Sequence, residues 1–70
     1  MAFSKGDTVE WLWGSGTGEG VIDEVFTEKV TRTIKGKDIT RNATKDEPAY
    51  LIRQKDGDTV IKSASELTRA

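Results

Sequence analysis

The chain has 70 residues, neither cysteine nor histidine, and 11 basic against 12 acidic side chains, for a formal net charge of −1. A chain this short holds one small core, and without thiols or imidazoles it excludes disulfides, cysteine or histidine metal sites, and catalysis that depends on either group. We therefore expect residues 1–70 to form a single domain, with residues 1–5 as a loose N-terminus.

The first half of the chain predicts two strands joined by glycine-rich sequence. Apolar and polar residues alternate over residues 7–13, which indicates a half-buried strand. The segment "GSGTGEG", residues 14–20, holds four of the seven glycines and predicts a flexible loop. Residues 21–26 then resume as a strand with a bulge.

The second half predicts two hairpins and a final turn. Residues 27–34 and 38–42 form strands around a tight turn at Gly36, and Asp56-Gly57 connects two further strands. Residues 63–67 suit a single 3₁₀ or α turn that plugs one end of a barrel through Leu67. These elements predict an all-β fold, a small barrel of five to six short antiparallel strands with a short C-terminal helical turn.

Three stretches carry a family resemblance: "GDTVEWLWG", "TEKVTRTIKGKDITRNATKDEPAYLI" and "DGDTVIKSASEL". They closely resemble the hypervirulence-associated Tudor domain over nearly the whole chain. The resemblance implies an SH3-like, Tudor-type barrel without known catalytic activity. Some Tudor domains bind methylated lysine or arginine in a cage of aromatic rings. Here Trp11 and Trp13 share one face of a strand, which indicates core packing instead of a cage.

The residues themselves also argue against an enzyme. Asp23 and Glu24 are adjacent and point to opposite faces of a strand, so they do not form the facing pair that acid–base catalysis requires. The serines have no histidine to activate them. The glycine-rich segment is followed by a strand and lacks the Lys-Ser or Lys-Thr of phosphate-binding loops. We expect no catalytic residue, no metal site and no cofactor.

Charge is distributed unevenly along the chain. Six acids and no base lie between Asp7 and Glu28, whereas six bases and one acid lie between Lys29 and Lys45. A local basic lobe on a nearly neutral protein indicates either a small anionic partner or internal charge balance.

The middle hairpin concentrates this positive charge, and its register depends on the turn. If Gly36-Lys37 forms a type II′ loop, Arg32 faces Arg41; if Lys35-Gly36 forms the loop, Arg32 faces Ile39. Both registers place the same six residues on one face: Val30, Arg32, Ile34, Ile39, Arg41 and Ala43. The other face is rich in threonine.

Two hypotheses follow for the arginines of that face. Their guanidinium groups pair with acids such as Asp23, Glu24 or Glu28, or they jointly hold an anion. The predicted function is a non-catalytic binding module for an anionic ligand, a nucleotide or nucleic-acid phosphate. Its predicted ligand-binding residues are Arg32 and Arg41, supported by Lys35 and Lys37, with Tyr50 as a possible aromatic contact.

The alternative function is a peptide or protein-interaction module that uses the barrel edge and exposed aromatic residues. The N-terminal residues lack a basic segment followed by an apolar run, and nowhere do 18 apolar residues occur together. We therefore expect a cytoplasmic protein with no membrane partner.

Overall fold

The computed structural model describes residues 3–70, and Met1 and Ala2 lie outside it. It contains seven strands and one 3₁₀ turn, η1. In chain order they are β1 Thr8–Trp13, β2 Gly16–Phe26, β3 Val30–Ile34, β4 Lys37–Arg41, β5 Ala49–Arg53, β6 Thr59–Ser63, η1 Ala64–Glu66 and β7 Thr68–Arg69.

Five of the strands form one antiparallel sheet in the order β6-β5-β2-β1-β7, and β3 and β4 form a separate two-stranded hairpin. The chain thus makes a meander of β1, β2, β5 and β6, turns through η1, and returns beside β1 as β7. The hairpin of β3 and β4 is an insertion between β2 and β5. This architecture confirms the predicted all-β, SH3-like Tudor fold, with six longer strands and a seventh of two residues.

The main core fills the barrel formed by the five-stranded sheet. Leu67 is buried in it directly after η1, which confirms that the C-terminal turn plugs the barrel. Phe3 is also buried there, so the expectation of a loose N-terminus fails for this residue because its ring has a place in the core. The buried members of this cluster are Phe3, Val9, Trp11, Ile22, Tyr50, Ile52, Ala64 and Leu67.

A second, smaller core explains why β5 is apolar on both faces. Tyr50 and Ile52 point into the barrel, whereas Ala49 and Leu51 belong to a cluster on the opposite face. Strands covered on both sides carry continuous apolar runs instead of alternation. The second cluster joins the hairpin to β5 and β6 and consists of Val30, Ala49 and Ile61, with Phe26, Ile34, Ile39, Ala43 and Leu51 partly buried around them.

The prediction of a flexible loop at residues 14–20 is wrong. Only Gly14 and Ser15 form the turn, and β2 begins at Gly16. A Cβ on Gly18 would clash with the Trp11 indole, and one on Gly20 would lie 2.6 Å from Ile52 Cγ2. These two glycines are therefore required by close packing in a regular strand, not by flexibility.

The predicted bulge in the second strand is confirmed. The register of β2 against β5 shifts between Ile22 and Glu24, so Asp23 is the extra residue. Its carboxylate accepts a hydrogen bond from Arg53 Nη2 at 2.8 Å. Within residues 3–70, no helix has the length and apolar character needed to cross a bilayer.

Candidate functional site

The turn of the basic hairpin consists of Lys35 and Gly36. Ile34 pairs with Lys37, and the two turn residues have φ of 51° and 78°. Two successive left-handed residues define a type I′ turn, whose twist matches that of the flanking strands. The type II′ turn at Gly36-Lys37 is therefore wrong, and the second of the two predicted registers is the one adopted.

This register does not place the two arginines opposite each other. Arg32 pairs with Ile39, and Arg41 pairs with Val30, so the arginines are diagonal neighbours on one face. The apolar residues of that face belong to the second core, as the alternation predicts. On the outer face, the Thr31 and Thr40 hydroxyls lie 2.9 Å apart in a hydrogen bond. The like charges thus avoid direct opposition, which would destabilise the hairpin.

Arg32 is held by its own protein. Its Nη2 donates to Glu24 Oε2 at 3.3 Å, and its Nη1 donates to the Thr31 carbonyl oxygen at 3.1 Å. Its guanidinium carbon lies 4.9 Å from the centre of the Phe26 ring, a cation–π contact. Arg32 therefore forms an internal ion pair, as the first of the two hypotheses predicts. Its partner is Glu24, one of the three acids that the sequence suggested.

Lys35 is also paired. Its Nζ lies 2.8 Å from Asp58 Oδ2, which links the turn of the hairpin to the turn between β5 and β6. The hydrogen bond and the negative charge of Asp58 raise the pKa of Lys35 above its ordinary value. Two of the four predicted ligand-binding cations, Arg32 and Lys35, thus form ion pairs between the hairpin and the barrel. Their partners are Glu24 and Asp58.

Arg41 differs from both of them. Its Nε is buried and has no hydrogen-bond partner among the described residues. Its Nη1 lies 3.9 Å from Glu66 Oε1, close enough for an ion pair but too far for a hydrogen bond. Buried polar groups nearly always have partners, so this N–H is an exception among the described residues.

The carboxylate beside Arg41 is shared with two other groups. Glu66 Oε1 accepts a hydrogen bond from the Ser63 backbone N–H at 2.9 Å, and Glu66 Oε2 lies 3.8 Å from Lys62 Nζ. Two cations therefore share one carboxylate, without a hydrogen bond to it from either, and the cluster of Arg41, Lys62 and Glu66 keeps one net positive charge.

A groove runs from this cluster between the hairpin and β6. It is lined by Ile34 and Ile39 from the hairpin and by residues 59–62 of β6, of which Ile61 faces the hairpin. Arg41 and Lys62 lie at one end. We call this feature the seam groove, defined by Ile34, Ile39, Arg41 and residues 59–62.

Lys37 belongs to the same face of β4 as Ile39 and Arg41 but is exposed and forms no ion pair within residues 3–70. It lies four residues from Arg41 along the strand, or about 13 Å at the usual rise per residue. Lys37 and Arg41 are thus too far apart at the backbone to be first contacts of one small anion.

The aromatic predictions need two corrections. Tyr50 is fully buried, and its hydroxyl accepts a hydrogen bond from the Phe3 N–H at 2.9 Å. It is therefore a core residue and offers no surface for ligand contact. Trp13, assigned by alternation to the core, is 63% exposed because it lies beside the turn at the end of β1, where the barrel no longer covers it.

Sequence reasoning missed Lys62 and Glu66, which complete the cluster around Arg41. A signal was present, because Ser63 to Glu66 has the serine-to-glutamate spacing with which a carboxylate accepts a backbone N–H at the start of a helical turn. That carboxylate also lies four residues from Lys62, the spacing of a helical ion pair.

Comparison with known families agrees with this architecture. The family model described as "Hypervirulence associated proteins TUDOR domain" matches residues 6–67. The chain belongs to this family. No curated protein and no solved structure matches the chain. Tudor domains typically act as non-catalytic binding modules for proteins or nucleic acids, so the seam groove and its cations are the candidate ligand site of this Tudor domain.

Proposed function

We propose that this Tudor domain is a non-catalytic binding module that holds an anionic group, a phosphate or a carboxylate, at Arg41. The supporting observation is that no hydrogen bond engages the guanidinium group of Arg41 among the described residues, its Nη1 lying 3.9 Å from Glu66 Oε1 and its Nε having no partner. An anion that approaches the solvent-facing side of this guanidinium group gains a charge-assisted hydrogen bond that Glu66 does not supply.

The local charge also favours an anion. Arg41 and Lys62 share the single carboxylate of Glu66 at 3.9 and 3.8 Å, and one oxygen of that carboxylate is already engaged by the Ser63 N–H. An incoming anion would give the second cation a partner. The Arg41 side chain is 38% exposed, so an anion reaches it from solvent.

The other predicted residues have distinct parts in this proposal. Arg32 and Lys35 pair with Glu24 and Asp58 and so support the position of the hairpin, which packs on β5 and β6 through the second cluster. Lys37 lies at the far end of the same face, where it attracts a longer anionic ligand. The proposed contact residues are therefore Arg41 and Lys62, with Lys37 as an outlying charge and with Arg32 and Lys35 as positioning residues.

The test is a titration of the ¹⁵N-labelled protein with inorganic phosphate, followed through backbone amide shifts. We expect Arg41→Gln to weaken binding by about tenfold or more, because a hydrogen bond to a charged group contributes about 1.5–3 kcal/mol. Lys62→Gln should weaken it less, since its ammonium group offers a point charge without a fixed fork.

Lys5→Gln is the matched control. It removes the same charge from an exposed lysine outside the seam groove. Equal weakening by Arg41→Gln and Lys5→Gln would show that phosphate responds only to net charge, and the proposal would be wrong. Retained amide dispersion in each variant shows that the fold is intact.

A further inference from the structure

We propose that the outer edge of β3 is a second binding surface, where an extended acidic segment of a partner protein adds as an antiparallel strand and places an Asp or Glu side chain opposite Arg32. This edge lies on the far side of β3 from β4 and Arg41, so the inference goes beyond the proposed anion site and does not depend on it. A segment that extends a sheet gains affinity from backbone hydrogen bonds and selectivity from the side chains along the edge.

The hydrogen-bond pattern of the hairpin shows which backbone groups point to this edge. Ile34 and Lys37 flank the two-residue turn and form the first hydrogen-bonded pair. In an antiparallel ladder, such pairs alternate with pairs whose N–H and C=O groups point away from the partner strand. Arg32 therefore bonds to β4, whereas Thr31 and Thr33 direct their backbone groups to the outer edge.

No strand pairs with this edge within residues 3–70. β3 pairs with β4 alone, and β4 is the strand of the hairpin that lies against β6. Thr31, Arg32 and Thr33 are all exposed. The edge of β6 differs, because Ile61 there is buried beneath the hairpin. An exposed, unpaired edge is a template for another extended chain.

The outward backbone groups are largely free among the described residues. The Thr31 carbonyl oxygen accepts a hydrogen bond from Arg32 Nη1 at 3.1 Å, and its second lone pair can accept an incoming N–H. The Thr31 N–H and both backbone groups of Thr33 form no hydrogen bond within residues 3–70. Thr31 and Thr33 thus offer two donors and two acceptors to an added strand, the complement of two hydrogen-bonded ladder pairs.

Charge at the centre of this edge favours an acidic occupant. The residue opposite Arg32 would belong to a non-hydrogen-bonded pair, in which the side chains lie closest. Arg32 uses two of its five N–H donors, one on Thr31 and one on Glu24 at 3.3 Å. The pair with Glu24 is nearly half exposed on both sides, so an incoming carboxylate can share the guanidinium group. An Asp or Glu opposite Arg32 therefore adds a favourable cross-strand ion pair.

The same charge disfavours a second copy of the chain at this edge. Two β3 strands that used both threonines of each copy would pair antiparallel about a two-fold axis at Arg32. The two Arg32 side chains would then lie directly opposite each other, and like charges in that position destabilise a sheet. An arginine at the centre of an exposed edge thus opposes self-association and selects an acidic partner strand.

The outer face of β3 specifies the residues beside the acid. The Thr31 hydroxyl lies 2.9 Å from that of Thr40, and the Thr33 hydroxyl donates to Asp38 at 2.7 Å, so both threonine side chains lie on that face. Residues opposite Thr31 and Thr33 in an added strand share this face, where β-branched side chains form favourable cross-strand pairs with threonine. The expected recognition sequence is therefore an acidic residue between two β-branched residues.

The first test is selection of a phage-displayed library of random heptapeptides on the intact protein. We expect enrichment of an Asp or Glu between two β-branched residues. Selection on Arg32→Gln should lose the acidic preference, whereas selection on Lys5→Gln should keep it, since Lys5 is an exposed cation outside β3. Enrichment of basic or proline-rich sequences, or of none, would overturn the proposal.

Thr33→Pro tests strand addition at the edge itself. Proline removes the outward N–H of Thr33, which no bond to β4 uses, and edge strands tolerate proline at such a position. We expect this variant to bind a synthetic peptide of the enriched sequence more weakly by about tenfold or more. Thr33→Val is the matched control, because it loses the same hydroxyl but keeps the N–H, and it should bind as the parent does. Equal binding by the two variants would overturn strand addition.

The same hydrogen bonds can be removed from the ligand, without any change to the protein. A peptide N-methylated at the two residues beside its acid loses the donors that face Thr31 and Thr33 but keeps its side chains and charge. We expect it to bind the parent more weakly than the unmethylated peptide by about tenfold or more. Equal binding of the two peptides would overturn the proposal.

Two outcomes separate this inference from its rivals. Sedimentation should show a monomeric parent; a dimer that Thr33→Pro dissociates would mean that a second copy occupies the edge, and the proposal would be wrong. Thr33→Pro should bind phosphate at Arg41 as the parent does, because the seam groove lies beyond β4, towards β6. Loss of peptide binding with intact phosphate binding is thus the expected result, whereas a parent that binds the peptide but not phosphate would contradict only the proposed function.

Discussion

Gly20→Ala tests the finding that the glycine-rich segment is a packed strand. A Cβ at this position lies 2.6 Å from Ile52 Cγ2 and 2.7 Å from the Arg53 carbonyl oxygen. The second of these is backbone of the paired strand β5, which cannot rotate away as a flexible side chain would. The added methyl group must therefore push β2 and β5 apart beside the fully buried Ile52.

The expected magnitude follows from two opposing effects. Overpacking of a well-packed core destabilises by about 1–3 kcal/mol. Replacement of a strand glycine by alanine raises the free energy of unfolding by about 0.5–1 kcal/mol, because the unfolded chain then has lower conformational entropy. We expect a net loss of about 1–2 kcal/mol, or a fall in Tm of about 4–16 °C for a domain of this size.

Urea unfolding followed by tryptophan fluorescence measures this loss, because Trp11 is buried in the native core. Gly16→Ala is the matched control. Its added Cβ meets nothing closer than 3.8 Å, an ordinary van der Waals contact with the Trp13 ring. We expect this variant to be as stable as the parent or slightly more so. Equal stability of the two alanine variants would refute the packed-strand account and restore a flexible loop.

Three further predictions concern single contacts. Tyr50→Phe leaves the buried Phe3 N–H without its acceptor and should lower the free energy of unfolding by about 1–3 kcal/mol in the same urea assay; no measurable change would contradict a core role for the hydroxyl. The contact with Asp58 raises the pKa of Lys35 above 10.5, so its stabilisation is complete below that pH and is lost as pH rises through the raised pKa. The stability difference between the parent and Asp58→Asn should shrink over that alkaline range, and a difference independent of pH would show that the ion pair does not act. Glu66→Gln keeps an acceptor for the Ser63 N–H but removes the negative charge that competes with phosphate for Arg41. Phosphate affinity in the amide titration should therefore rise. An unchanged or lower affinity would contradict the proposal that Arg41 and Lys62 share the Glu66 carboxylate.

Alternation in the sequence predicted most of the fold because most strands other than β5 have one consistent apolar side. It failed at residues 14–20, where glycine has no side chain to show which face is buried. The need for Gly18 arises from the indole of Trp11 on the neighbouring strand, a contact that depends on tertiary structure.

The candidate site was predictable only in part. Alternation placed Arg32 and Arg41 on one face in either register, but it could not assign their partners, because Glu24 and Glu66 approach from β2 and from η1. Tyr50 was misplaced for a related reason. The run of residues 49–52 is apolar throughout, so its periodicity does not distinguish the barrel core from the second cluster.

The most direct test of the central claim is the arginine Nε–H region of a ¹⁵N correlation spectrum during a phosphate titration. The chain has four arginines, and Arg41→Lys assigns the signal of interest by its disappearance. We predict that the Arg41 Nε–H signal shifts most and saturates together with the backbone amides of the seam groove, while Arg32, held by Glu24, shifts little. An Arg41 signal that stays in place while other arginines move would contradict the assignment of this site.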